Sequence, residues 1–363
     1  MQKSYTAENR FSNIDSIDNI KQIDKYGYIN IVRSMPEQMN EAIENYSINY
    51  RMKIVPKKVL ILGVGTSVIS GLIIQEFLSE RINIPVIVSD SYYLPNIILK
   101  DTLILVMSYS GNTVEVINLL HQLLTRDLNL NIVVLSGGGN LEKLTRENNL
   151  PFIKIKRLEP KKRTVLPYLT IPMLLTLNDI FSLGLNANYF DKIIKEISLQ
   201  RDEIDVSCKM EENIAKYMAS KMLNKIPFIY TSKSSIYPVA VRWKFQLNEN
   251  SKVFAFSNYL PNINHNEIMP WRYMNCASLG SFAVIILRDI DDEVYISERV
   301  NFTKKVIQKS KVKIFEIYLR GSNILEKIFK GVLIGDFVSY YLAILRNIDP
   351  SDVSEINRIK IVN

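Results

Sequence analysis

The residues Ser108-Tyr109-Ser110-Gly111-Asn112-Thr113 crowd three small hydroxyls, an amide and a glycine into six positions directly after the apolar run 103–107. The segment that follows places Val116, Leu119, Leu120, Leu123 and Leu124 at the spacing of an amphipathic helix. A buried strand, a tight turn and a helix N-terminus in that order would gather the Ser108, Ser110 and Thr113 hydroxyls with unpaired first-turn N–H groups. Such a cluster suits an oxyanion, above all phosphate. The same residues also suit an ordinary capped βα turn, since Ser, Asn and Thr cap helices everywhere. Local physics leaves both readings open.

A second turn, Gly63-Val64-Gly65-Thr66-Ser67-Val68, also follows a predicted strand and opens a predicted helix. It imitates a dinucleotide loop. The third glycine, needed for close helix–strand packing, is replaced by Val68, and Asp90 lies 27 residues past Gly63 (90 − 63) rather than roughly 20. The more economical reading brings Ser67 beside the Ser108 turn, because adjacent strands of an open parallel sheet share a crevice at their carboxyl ends.

The elements that must position these turns alternate regularly. Strands are predicted at 59–62, 85–88, 103–107 and 131–135, with 152–155 as an edge strand. A polar helical stretch, 191–216, stands before a second series, with strands at 227–230, 253–256, 282–287 and 314–318 and helices near 293–309 and 324–346. Ile236, Ala240, Trp243 and Leu247 share one face of a further helix. Strands alternating with helices imply an α/β chain of two doubly wound domains, with mostly parallel sheets flanked by helices. The expected division is a helical N-terminal extension over 1–50, domains over 51–190 and 191–348, and a tail over 349–363. In the extension, Tyr28, Ile31 and Met35 are candidate packing contacts.

The 363 residues, 47% hydrophobic and 23% charged, supply material for two core-bearing domains. The formal charge of +8 is scattered, with no aromatic-basic motif, so a small anionic ligand is favoured and nucleic acid is not. Cys208 and Cys276 form neither a metal-spaced pair nor a disulfide framework. With no apolar signal core at the N-terminus, a reducing, cytoplasmic location is expected. The apolar stretch 165–185 is interrupted by Pro167, Pro172, Asn178 and Asp179, which suits a buried helix rather than a membrane span. His121 and His265 are the only histidines, so no multi-histidine metal site is expected, and no cofactor is called for. His121, among Leu119, Leu120 and Leu123, reads as structural.

Two stretches together carry a more specific resemblance. The segment 108–115, Ser-Tyr-Ser-Gly-Asn-Thr-Val-Glu, resembles the signature of the sugar isomerase (SIS) domain superfamily. Trp243-Lys244-Phe245-Gln246-Leu247-Asn248-Glu249-Asn250-Ser251-Lys252, followed by Asn264-His265-Asn266-Glu267-Ile268, resembles the second-domain motif of bifunctional phosphoglucose/phosphomannose isomerases. The likeness runs from about residue 57 to the closing Asp349-Pro350 and Ile356-Asn357-Arg358-Ile359-Lys360. The chain departs from the family pattern at Thr66, where a glycine is usual, and in a longer N-terminal portion. The resemblance implies two SIS domains, a homodimer, and metal-independent interconversion of glucose 6-phosphate with fructose 6-phosphate, with mannose 6-phosphate as a further substrate.

That reaction needs an anchor for the phosphate dianion, ring opening, a base working between C1 and C2, and stabilisation of an enediolate. The anchor would be Ser67, Ser108, Ser110 and Thr113. By spacing alone Glu249 is a solvated glutamate at a helix end; the match at Asn248-Glu249-Asn250 makes it the base, a role suited to a carboxylate in a partly dry sugar pocket. Glu267 is the competing carboxylate. His265 would open the ring, and the family implies that it reaches the partner subunit's active site. Arg163 matches the family's arginine near the reacting carbons, where a fixed charge would stabilise the enediolate. Lys360 matches the family's C-terminal lysine, assisting ring opening or binding sugar. Ser136-Gly137-Gly138 is expected at the same sheet edge in a geometric role. Two other readings remain. An amidotransferase-type isomerase would want an N-terminal nucleophilic cysteine, and none precedes Cys208. A non-catalytic sugar-phosphate-binding regulator would often carry a basic recognition helix, which the first fifty residues do not show.

Overall fold

The computed structural model describes residues 14–359 except 49, 51–54, 97, 99, 127–129, 159–164, 233–234 and 275–279. They divide into two compact units, one of residues 34–194 and the other of residues 14–33 with 195–359.

In the first unit, strands β1 (Lys58–Leu62), β2 (Val86–Ser89), β3 (Thr102–Ser108), β4 (Asn131–Ser136) and β5 (Phe152–Lys154) form one sheet in the order β2-β1-β3-β4-β5. Every pairing is parallel, with Leu62 opposite Val106 and Ser108 opposite Ser136. Strands β3 and β4 are buried throughout, the pattern of a parallel sheet covered on both faces. The helices α1 (Ile17–Ile23) and α2 (Tyr28–Arg33) belong to the other unit, while α3 (Met35–Glu44) precedes this sheet. Around it lie α4 (Thr66–Leu78), α5 (Val114–Leu124), α6 (Gly139–Glu147) and α7 (Leu166–Phe181). Helix α7 is the apolar stretch flagged in the sequence; it packs on α3 and α4, and its Thr170 hydroxyl donates to Ser70 Oγ at 3.0 Å. Leu60, Ile104, Val106, Val116, Leu119, Leu120 and Leu123 join one face of the sheet to α5.

Helix α8 (Ala187–Ile204) leads into the second unit, and α9 (Ile214–Met222) follows. The single helical stretch expected over 191–216 is therefore two helices. Asn213 caps α9 by accepting from Lys216 N at 3.0 Å, and Lys216 Nζ, fully buried, donates to Asp15 Oδ1, Val206 O and Cys208 O. The cation draws the intervening carbonyls inward, which a continuous helix would not allow.

The second sheet comprises β6 (Ile226–Ser232), β7 (Phe256–Leu260), β8 (Phe282–Asp289) and β9 (Lys313–Leu319) in the order β7-β6-β8-β9, again all parallel. Strand β7 begins at Phe256, not at 253 as expected. Val253 N donates to Leu247 O and Ala255 N to Asn248 Oδ1, so the preceding residues spend their N–H groups on the end of a helix, α10 (Tyr237–Glu249). The remaining helices are α11 (Asn262–His265), α12 (Ile268–Tyr273), α13 (Val294–Gln308), α14 (Ile324–Leu345) and α15 (Ser354–Ile359). Helix α15 buries none of its residues. Among the described residues, α14 is the one helix long and apolar enough to cross a membrane, and it is buried inside the protein almost throughout.

Helix α14 is the core of this unit. It packs on α9 and α10, and Ile236, Ala240, Trp243 and Leu247 are all fully buried. Trp243 Nε1 donates to Gly331 O at 2.8 Å, and a Cβ on Gly335 would lie 2.2 Å from the same indole nitrogen. The two helices meet this closely only because position 335 has no side chain. Gly335→Ala is expected to overpack the contact and lower stability by about 1–3 kcal/mol, read as a lower urea midpoint with an unchanged slope.

Candidate active site

Both hydroxyl-bearing turns of the first unit stand at the carboxyl edge of its sheet, where the strand order reverses between β1 and β3. Helix α4 starts at Thr66 after Gly65, whose φ is +65°, and Ser67 is buried. A Cβ on Gly63 would fall 2.7 Å from Ser67 Cβ and 3.4 Å from Met107 O. The bare glycine therefore lets the end of β1 lie close against both the first turn of α4 and the end of β3.

Within that turn the hydroxyls are chained. Ser108 Oγ donates to Thr113 Oγ1 at 3.1 Å and accepts from Gly111 N at 3.2 Å; Ser110 Oγ accepts from Asn112 N at 3.2 Å. Thr113 is the N-cap of α5 but makes no side-chain cap. An accepting hydroxyl keeps its proton for donation, and first-turn amides have no partner inside their own helix. The arrangement can hold an anion.

The turn rests on the loop after β4. Leu141 N donates to Gly111 O at 2.8 Å, Asn140 N to Asn112 Oδ1 at 2.9 Å, and Gly137 N to Tyr109 O at 3.1 Å. A Cβ on Gly111, whose φ is +68°, would sit 1.6 Å from Gly138 O, and one on Gly139 would sit 2.4 Å from Asn112 Oδ1. So the Ser136–Gly138 loop is the floor of the turn, and the N–H groups that open α6 are consumed in holding it. Beside it, Glu142 is paired with Lys154 and Arg146, and these hydrogen bonds hold its carboxyl below the usual range despite partial burial.

In the second unit Glu249 is the last residue of α10 and is half-buried. Its surroundings are tied down on every side. Lys252 Nζ donates to the Glu249 carbonyl, Asn250 Nδ2 to Ser339 Oγ at 2.9 Å, Ser251 Oγ to Ser339 O at 2.6 Å, and Tyr28 OH to Asn250 Oδ1 at 3.1 Å. Two turns earlier, Arg242 grips Asp336 of α14 through Nε–Oδ1 at 2.9 Å and Nη2–Oδ2 at 2.8 Å, both side chains fully buried. Burial opposes the Arg242 charge, but Asp336, with a smaller contribution from Glu249, keeps the guanidinium above its ordinary value. This pair was not anticipated from the sequence. Its signal was there: an arginine and an aspartate, each set among mostly apolar residues on the buried face of a helix.

His265 ends the short α11 and is exposed. Glu267 is engaged: Tyr230 OH donates to its Oε2 at 2.9 Å and Asn258 Nδ2 to its Oε1 at 2.6 Å. Burial, and then the Glu267 charge, pushes the Tyr230 phenol well up, so Tyr230 remains a donor. Glu267 thus buttresses the segment carrying His265. Arg163 and Lys360 lie outside the described residues. His121 is on the exposed face of α5, not in its core. Among the described residues, no group of three or more His, Cys, Asp or Glu side chains is arranged to hold a metal ion.

Comparison with known proteins bears on this arrangement. A bifunctional phosphoglucose/phosphomannose isomerase of Caldicellulosiruptor bescii is 33% identical over 336 residues, covering 91% of this chain and 96% of that protein. The chain belongs to that family. The enzyme of the same name from Thermoplasma acidophilum is also 33% identical, over 83% of this chain and 88% of its own. The family model of the bacterial phospho-glucose isomerase C-terminal SIS domain matches residues 211–362 of this chain. In fold it is similar to the C-terminal domain of glucosamine-fructose-6-phosphate aminotransferase from Francisella tularensis, with a TM-score of 0.71 at 16% identity over 91% of this chain and 99% of that one. It is similar also to glucosamine-6-phosphate deaminase from Thermotoga maritima, with a TM-score of 0.61 at 13% identity over 93% and 96% of the two chains.

The isomerase turn at 108–113 depends on Gly111 more than on any hydroxyl. Gly111→Ala forces both a clash with Gly138 and a disfavoured φ, so affinity for a sugar phosphate should drop about tenfold or more, on the order of 1–3 kcal/mol, in equilibrium titration. Ser110→Ala, which keeps the turn, should lose less.

Proposed function

We propose that this enzyme interconverts glucose 6-phosphate and fructose 6-phosphate, and accepts mannose 6-phosphate, by metal-independent proton transfer through a cis-enediol. The observation that carries the reading is the junction of near full-length family membership with a turn whose hydroxyls and open helix N-terminus are built to take an anion. In this scheme the domain over 51–190 anchors the dianion through Ser67, Ser108, Ser110 and Thr113, while the domain over 191–348 and the tail over 349–363 supply the chemistry.

Glu249 takes the proton from C2 of the open aldose and returns it to C1, as the O1 carbonyl gains a proton and the O2 hydroxyl loses one. Arg163 stabilises the negative charge that develops on these oxygens. His265, reaching the site from the partner subunit of a homodimer, moves the proton between O5 and O1 that opens the ring, with Lys360 assisting or binding the sugar. The exposure of His265 suits a residue that serves another copy. The fixed backbone around Glu249 suits a base that must keep its place between two carbons.

The test is a coupled assay on both aldose phosphates with EDTA present. Fructose 6-phosphate should form from each, and Glu249→Gln should lower turnover about a hundred- to ten-thousandfold with little change in sugar-phosphate affinity. Wild-type turnover in that variant would remove Glu249 from the role of base. Tight binding without hydrogen exchange at C2 in the unaltered protein would instead mark a regulator.

A further inference from the structure

A cleft of about 450 Å³ in the first unit lies outside the turns described above, lined by Tyr92, Tyr93, Glu115, Asn118, His121 and Gln122. It follows from how α5 is built. Val116, Leu119, Leu120 and Leu123 turn one face of the helix into the core, and Glu115, Asn118, His121 and Gln122 fall on the remainder. Against that polar face the chain after β2 presents two consecutive aromatic rings, with Tyr92 67% and Tyr93 77% exposed.

The tyrosines are held, not trailing. Gln122 Nε2 donates to Tyr92 O at 3.2 Å, Leu94 N donates to Gln122 Oε1, and Tyr93 N donates to Ser91 Oγ at 3.2 Å. Leu94 is itself buried in the core beneath α5. Gln122 thus uses both ends of its amide to fix the strand-end segment to the helix, leaving Glu115, Asn118 and His121 as the polar groups of the cleft. Two large rings kept in water beside a groove forgo burial that a core or a mixed surface would give them.

The chemistry of the lining selects its ligand. Tyrosine faces accept the C–H face of a sugar ring, while an amide, a carboxylate and an imidazole match hydroxyls that both donate and accept. The lining has no lysine or arginine, and its one full charge is the carboxylate of Glu115, so a phosphate dianion is disfavoured here. We propose that this cleft is a second site for a neutral carbohydrate ring, separate from the phosphate-holding turn of the same unit.

Saturation-transfer NMR on the full chain, with methyl glucoside and maltose as probes and inorganic phosphate present in excess, tests this. Transfer to the ring C–H protons is expected to persist under phosphate. Affinity should weaken about tenfold, or 1.4 kcal/mol, in Tyr92→Ala/Tyr93→Ala and also in Asn118→Ala, with isomerase turnover unchanged. The proposal is overturned if no transfer occurs, if phosphate displaces the sugar, if the tyrosine substitutions leave transfer intact, or if adenosine binds the cleft more tightly than either sugar.

Discussion

Strands β3 and β4 are covered along their whole length, and neither can carry a polar side chain toward solvent until it ends. In a parallel sheet all the strands end on the same edge, so whatever chemistry the first unit performs must collect there. The reversal of strand order between β1 and β3 opens a gap in the helical cover at that edge, and it falls between the Gly63–Ser67 turn and the Ser108–Thr113 turn. The site is thus placed by the way the sheet is buried.

Having a place is not the same as having a shape. The loops approach within contact distance at that edge: a methyl group would meet the Gly138 carbonyl at 1.6 Å from Gly111, the Asn112 side chain at 2.4 Å from Gly139 and the Ser67 side chain at 2.7 Å from Gly63. The glycines give up conformational restriction in the unfolded chain in exchange for a turn whose amides and hydroxyls are fixed by their neighbours. The loop after β4 spends its own helix-opening N–H groups as struts. At α5 the N-cap Thr113 makes no side-chain cap, whereas the opening N–H groups of α6 are engaged, so of this pair α6 is the support.

In the second unit the rigid part is a helix end. The Arg242–Asp336 pair is fully buried, and such a pair adds little net stability while making any misalignment of α10 and α14 expensive. With Trp243 against the Gly331–Gly335 side of α14 and Asn250 joined to Ser339, the register of α10 is specified at three heights. Glu249 inherits that register. Glu267 contributes differently, as a carboxylate whose two oxygens brace β6 and β7 against the segment that bears His265.

The sequence alone determined the alternation of strands and helices, the two-sheet plan, the edge position of β5 and the apolar face of α10, because each is a matter of local periodicity and burial. It also determined the chemical character of the 108–113 turn and, through the resemblance carried by residues around Glu249 and His265, the family. Tertiary structure decided what local pattern cannot express. The 191–216 stretch broke because a buried Lys216 recruits carbonyls across the break, and β7 started late because its leading N–H groups were committed to α10. His121, read as structural, lies on the exposed side of α5, where the helical period sets it off the face of Leu119, Leu120 and Leu123. The floor beneath Gly111 and the Arg242–Asp336 pair join residues 27 and 94 positions apart in the chain (138 − 111 and 336 − 242), a separation over which a one-dimensional pattern carries no geometric information, whereas close packing leaves a single arrangement that fits.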